Sequence, residues 1–187
     1  MPQEVEAKLK VDSHEAVRGR LTARGAEPLG RVLEVNRIFD NSERLLLATD
    51  RGLRIRECRD EQGRLTRATL TYKGPRLSGP LKRREEIELT IDDPAAAGTM
   101  LERLGFVEAV RFEKRRETWR LDECLVELDE VPHLGTFVEI EGRDEGRIQQ
   151  VRRGLGLETA ALVRGSYIEL LVRHCKEHGL PVNRITF

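Results

Sequence analysis

Strict alternation of charged and aliphatic residues is what most restricts the fold of this chain. Near the N-terminus Glu4, Glu6, Lys8 and Lys10 occupy even positions, with Val5, Ala7, Leu9 and Val11 between them. Successive side chains of a strand point to opposite faces, so residues two apart share one face and the segment sorts into two stripes. The same sorting holds downstream. One stripe collects Arg54 and Arg56; Lys73; Arg84, Glu86 and Glu88; Lys114 and Arg116; Glu127 and Asp129; and Glu139 and Glu141. The other collects Leu53 and Ile55, Ile87 and Leu89, Val126 and Leu128, and Val138 and Ile140.

An ordinary sheet with one face on helices and one in water also alternates. Solvated faces, however, mix Thr, Ser, Gln and Lys, whereas this polar stripe consists of ionisable residues of both signs in doublets and triplets. Such a face suits a ligand carrying many charges. Besides the first segment, strands are read near 31–39, 53–58, 65–73, 81–91, 110–121, 125–131 and 136–141, with a hairpin turn at 60–63. Eight antiparallel strands can close into a barrel, which removes exposed edges and turns one face into a lumen. The expected fold is α+β: a closed eight-stranded antiparallel β-barrel, or tunnel, with a charged lumen and helices packed outside. Those helices are expected after Asp12 and Ser13, after Asp93-Pro94, near 144–153 and over 166–177, with Gly25, Gly105 and Gly179 ending three of them.

A chain of 187 residues fits one domain spanning 1–187. Lys and Arg number 33, as do Asp and Glu, so no basic excess points to nucleic acid and any anion site is local. Cys58, Cys124 and Cys175 are widely spaced and odd in number, which fits a reducing compartment. No apolar run approaches the roughly 20 residues of a membrane helix, and a strand pattern rather than a signal peptide follows Met1. A cytoplasmic protein without membrane contact is expected; a homodimer is left open.

Chemistry follows from the charge types. Seven cations, Lys8, Arg54, Arg56, Lys73, Arg84, Lys114 and Arg116, match the non-bridging oxygens of a polyphosphate, the arginines with forked donors. A carboxylate repels such an anion, so the acids of the stripe make sense as oxygen ligands for Mg²⁺ or Mn²⁺ bridging protein to phosphate.

These segments resemble the CYTH superfamily, the triphosphate tunnel metalloenzymes, which include class IV adenylyl cyclases and thiamine triphosphatases. Glu4-Val5-Glu6-Ala7-Lys8 resembles its Glu-x-Glu-x-Lys hallmark, and Leu53-Arg54-Ile55-Arg56 its paired basic strand. Lys73-Gly74-Pro75, Arg84-Glu85-Glu86-Ile87-Glu88, Lys114-Arg115-Arg116 and Glu127-Leu128-Asp129 follow in family order, and Leu134 to Glu141 is similar to its closing strand. The resemblance implies a tunnel in which the seven cations hold a triphosphate, with Lys8, Lys73 and Arg116 as candidate catalytic groups. It implies Glu4, Glu6, Glu139, Glu141 and Asp129 as metal ligands, supported by Glu86, Glu88 and Glu127. Arg164-Gly165-Ser166-Tyr167-Ile168-Glu169-Leu170-Leu171 looks like the C-terminal segment of the cyclase-type branch. The His-Phe pair that often precedes the first strand of class IV cyclases is not found here. Conversion of ATP to cyclic AMP and pyrophosphate is therefore expected beside hydrolysis of inorganic or thiamine triphosphate, with a non-catalytic polyphosphate-binding module as a third reading.

Other chemically suggestive residues carry less. His174, Cys175 and His178 lack an evident fourth zinc ligand. Trp119 falls on the face opposite Lys114 and Arg116, where it, like Phe112, is expected to pack on a helix rather than stack on a base. Cys58 has no nearby general base, and His14 and His133 are expected in solvated turns.

Overall fold

The computed structural model describes residues 3–77 and 82–187, with the backbone alone for Gln3, Glu4, Lys82 and Arg83. Leu81, expected to open the fifth strand, and part of the 74–80 loop lie outside the described residues, as does the Glu4 side chain. In chain order the elements are β1 (Gln3–Lys10), α1 (Glu15–Ala23), β2 (Glu27–Asn41), α2 (Leu45–Ala48), β3 (Gly52–Arg59), β4 (Leu65–Lys73), β5 (Lys82–Thr90) and α3 (Pro94–Arg103). After these come β6 (Phe106–Leu121), β7 (Cys124–Val131), β8 (Gly135–Gly142), α4 (Glu145–Gly154), α5 (Tyr167–Glu177) and the short β9 (Arg184–Ile185).

The sheet runs β2-β3-β4-β5-β1-β8-β7-β6-β9, and β2 also pairs with β6. It is a curled antiparallel sheet of eight strands, tunnel-like, with β9 adding a short parallel pairing to β6. Registers such as Glu6 opposite Glu141, Lys8 opposite Glu139 and Arg116 opposite Asp129 bring the charged stripe of each strand onto one concave surface.

The convex surface holds the apolar stripes. Val5, Ala7 and Leu9 of β1, Val126 and Leu128 of β7, and Val138 and Ile140 of β8 pack with Val17 and Leu21 of α1 and Ile148 and Val151 of α4. Each Val, Leu or Ile among them contributes about 1.5–3 kcal/mol when fully buried. Trp119 belongs to this cluster, in accord with its parity, and its Nε1 donates to Glu117. Elsewhere α3 lays Leu101 on Phe39 and Ile55, and α5 lays Leu171 and Cys175 against Phe112, Phe137 and Ile185. Asp93 caps its helix as expected, Asp144 caps α4, and Ser166 forms a capping box with Glu169.

Several boundaries differ from the sequence reading. β2 starts at Glu27 and β6 at Phe106, because the two pair from Glu27–Arg120 to Asn41–Phe106 and ladder hydrogen bonds extend them past their alternating segments. Irregular register at Pro28/Gly30 and at Ile38/Phe39 hid that length. α2 escaped because Leu45-Leu46-Leu47 has no helical period; its N–H groups are met by Asp40 and Asn41, which accept from Leu46, Leu47 and Leu45. The outside of β5 is uncovered, with Ile87 50% and Leu89 58% exposed. His14 is half-buried rather than solvated, one ring nitrogen lying 2.9 Å from the Phe137 carbonyl oxygen.

Candidate functional site

All seven predicted cations, with Glu6, Glu86, Glu88, Glu127, Glu139 and Glu141, line one cavity of about 950 Å³. Asp129, behind that lining, is fully buried. Its carboxylate accepts from Arg116 Nε at 2.7 Å and Nη2 at 2.6 Å, from Lys114 Nζ at 3.1 Å and from the Tyr167 hydroxyl at 2.9 Å. Arg116 also contacts Glu139 and Glu127, each at 2.5 Å. Lys8 lies 3.1 Å from Glu139, donates to the Gly165 carbonyl and sits 4.0 Å over the Tyr167 ring. Tyr167 is the first residue of α5, so the capping box that starts that helix also delivers the phenol to the cluster.

Across the lumen two guanidinium nitrogens are left over among the described residues. Arg54 lies 4.0 Å from Glu88 and donates to Thr71 at 3.4 Å, while its Nε is buried without a partner among the described residues. Arg84 reaches Asp50 at 3.2 Å, and its Nε is likewise buried and unpartnered among the described residues. Lys73 donates to Glu86.

Electrostatics track this geometry. Burial alone pushes the Glu34 carboxyl up, yet Arg56, Lys114 and Arg116 around it hold it far below the usual carboxylate range. Arg54 is brought down to about 10 by burial, with neighbouring Arg56 adding to the fall. Burial pushes Glu127 up to about 7 against the pull of Arg116. The Tyr167 hydroxyl is raised well above its ordinary value by burial and by Asp129.

Sequence reasoning missed Glu34 and Asn36 of β2, which share the lumen face two residues apart. Glu34 lies 3.2 Å from both Arg56 and Lys114. Their apolar same-face neighbours, Val32 and Ile38, broke the charged stripe that would have revealed them. Asp50 and Arg76 at the mouth were missed too: Arg76 bridges Asp50 and Glu169 at 3.0 and 2.9 Å.

Among the described residues no three His, Cys, Asp or Glu side chains form a ready metal cage. Glu6, Glu139 and Glu141 nevertheless line the cavity from adjacent strands and offer oxygen donors only, the chemistry Mg²⁺ and Mn²⁺ prefer. Cys175 is buried in the α5 core, and His174 stacks on His178 with ring centroids 4.1 Å apart. No helix among the described residues is long and apolar enough to cross a membrane.

Comparison with known proteins matches residues 2–167 to the CYTH domain, and the chain belongs to that family. A Methanocaldococcus jannaschii protein named "Putative adenylate cyclase" is 31% identical over 176 residues, covering 89% of this chain and 97% of that protein. The solved structure of protein PH1819 from Pyrococcus horikoshii aligns with a TM-score of 0.77 at 29% identity, over 91% of this chain and 98% of that one. A Hippeastrum protein described as a "Putative adenylyl cyclase" with a dominant triphosphatase activity shares the fold at a TM-score of 0.68 and 22% identity, over 97% of this chain and 98% of that one.

Proposed function

We propose that this CYTH-family chain is a metal-dependent enzyme of the class IV adenylate cyclase type, taking ATP to cyclic AMP and pyrophosphate. The observation that carries the reading is the pair of buried guanidinium nitrogens, Arg54 Nε and Arg84 Nε, unpartnered among the described residues in a cavity shared with the other five predicted cations. An unmade buried donor costs about 1–3 kcal/mol, a cost that an oxyanion ligand removes. The β2–β6 pairing supports a closed barrel around that ligand.

In this reading Arg54, Arg56, Lys73, Arg84 and Lys114 hold the phosphate oxygens, with Lys8 and Arg116 set against the reacting phosphorus by Glu139. Glu6, Glu139 and Glu141, with Glu4 by family resemblance, would hold Mg²⁺ or Mn²⁺, and Glu86, Glu88 and Glu127 balance the remaining charge. The bound cation would supply Lewis-acid neutralisation of the phosphate oxygens. Asp129 serves this site by aiming Arg116 and Lys114. Cyclisation forms a bond from the ribose 3′-oxygen to the α-phosphorus and breaks the bond to the bridging oxygen; the hydroxyl proton passes to water and pyrophosphate leaves. Leu46, Leu47, Ile168 and Val172 line the same cavity, and apolar lining fits an uncharged base. The M. jannaschii relative supports this reading.

Hydrolysis of inorganic or thiamine triphosphate is the second reading, favoured because the buried donors address phosphate and water needs no ribose positioning. The activity described for the Hippeastrum protein prompts it. Incubation with Mg²⁺ or Mn²⁺ and each triphosphate, resolving cyclic AMP, pyrophosphate and orthophosphate, decides. Cyclic AMP and pyrophosphate in equal amounts support cyclisation; orthophosphate alone refutes it, and no product from any triphosphate refutes both.

A further inference from the structure

We propose that the amide of Asn36 forms a neutral donor subsite for one phosphoryl group of the bound triphosphate, a role that rests on the triphosphate reading above. Asn36 is fully buried and lines the cavity. Its Oδ1 accepts from Arg56 Nε at 3.0 Å. A guanidinium has only donors, so the amide must turn its oxygen to Arg56 and its nitrogen away. Asn36 Nδ2 is then left buried without a partner among the described residues. Thr69, 3% exposed, is in the same condition at Oγ1 but stands behind the cavity lining.

These two groups are neighbours in register: Asn36 pairs across from Arg56, and Arg56 from Thr69, so they flank one guanidinium on a single face. The condition is not general to that face. Thr71, one position along, accepts from Arg54 and donates to Glu88 at 3.0 Å. Buried polar groups are nearly always satisfied, so an orphan amide nitrogen in the cavity wall beside Arg56 marks where an external acceptor sits. That acceptor must tolerate Arg56 beneath it and the unpartnered Nε of Arg54 beside it, which selects an anionic oxygen with several lone pairs. Neutral donors add something the cations do not. Glu34 sits 3.2 Å from Arg56 and competes for its charge, whereas among the described residues no carboxylate holds the Asn36 amide nitrogen. A phosphoryl oxygen gains these hydrogen bonds without displacing an internal acid.

Calorimetric titration of the full chain with inorganic triphosphate, with and without Mg²⁺, tests this alongside the melting temperature of the ligand-free protein. Asn36→Asp keeps the shape, pairs with Arg56 and replaces two donors with a charge. Its ligand-free melting temperature should equal or exceed that of the wild type, while triphosphate affinity falls about 100-fold. Thr69→Val is the control: it removes an orphan hydroxyl outside the cavity lining, so stability and triphosphate affinity both hold. A merely structural role would move the melting temperature and leave the affinity alone. The near-isosteric Asn36→Leu removes the donors without adding charge and should lower affinity about tenfold; wild-type affinity in Asn36→Leu or in Asn36→Asp overturns the proposal. If the wild type itself binds no triphosphate, the functional reading fails and this one with it.

Discussion

On the wall formed by β6, β7 and β8, acids and cations are matched before any ligand arrives: Asp129, Glu127 and Glu139 surround Arg116, and Lys114 joins Asp129 to Glu34. On the wall formed by β3, β4 and β5, Arg54 and Arg84 keep unpartnered nitrogens, threonines replace some of the acids, and the Glu88 side chain is 37% exposed. The backing differs in the same sense. Behind β7 and β8 stand α1, α4 and a continuous core, whereas behind β5 two large apolar side chains face outward. One wall is preorganised and the other is left to be completed by what it binds. Preorganised charge is costly to disturb, and an incomplete wall is cheap to alter but decisive for affinity.

The largest effect is expected at the centre of the matched wall. Asp129→Asn leaves Arg116 and Lys114 without their shared counter-charge and should lower unfolding free energy by about 5 kcal/mol in urea titration. A loss under about 1 kcal/mol with abolished Mg²⁺ binding would instead make Asp129 a metal ligand and break the contrast.

Glu34 stands between the walls, and Glu34→Gln should cost about 3 kcal/mol at neutral pH. The folded protein holds Glu34 below its ordinary value of 4.5, so its contribution is full above that value and is lost as pH falls below it. The gap between wild type and Glu34→Gln should therefore shrink as pH drops from 4.5. Triphosphate affinity should rise in the same variant, because the anion no longer competes with an internal acid for Arg56 and Lys114. A pH-independent gap would show that the charge of Glu34 is not what stabilises.

On the receiving wall the balance reverses. Arg54→Met removes a desolvated cation with one long ion pair, so unfolding free energy should change by less than about 1 kcal/mol. Triphosphate affinity, read by calorimetry, should fall about tenfold or more, equivalent to at least ~1.4 kcal/mol of binding. Unchanged affinity would place the phosphates on the opposite wall.

How much of this was legible in sequence depended on whether both stripes of a strand were unbroken. Glu4-Val5-Glu6-Ala7-Lys8 and Glu139-Ile140-Glu141 alternate cleanly, and their positions in the ladder follow. In β2, Val32 and Ile38 share the face of Glu34 and Asn36, so the stripe reads as apolar with interruptions and its two buried polar residues went unnoticed. Tyr167 was visible as part of the Arg164–Leu171 segment, but its contact with Asp129 joins residues 38 apart and depends on where α5 docks. Likewise the division between matched and incomplete walls lies in pairings across strands, since each strand taken alone shows the same mixture of charges.

The smallest expected effect lies on the outside of the incomplete wall. Leu89 and Ile87 are 58% and 50% exposed, although they alternate with Glu88 as regularly as Val138 and Ile140 do with Glu139. Periodicity alone assigns both pairs to a core, yet α1 and α4 cover only the second. Substituting Leu89→Thr keeps strand propensity and removes apolar surface that stays in water, so unfolding free energy should shift by no more than about 0.5 kcal/mol. Urea titration at two protein concentrations measures it. A loss above about 2 kcal/mol that grows with concentration would mean that β5 is buried against a second copy in solution, and the incomplete wall would then be completed on its outside as well.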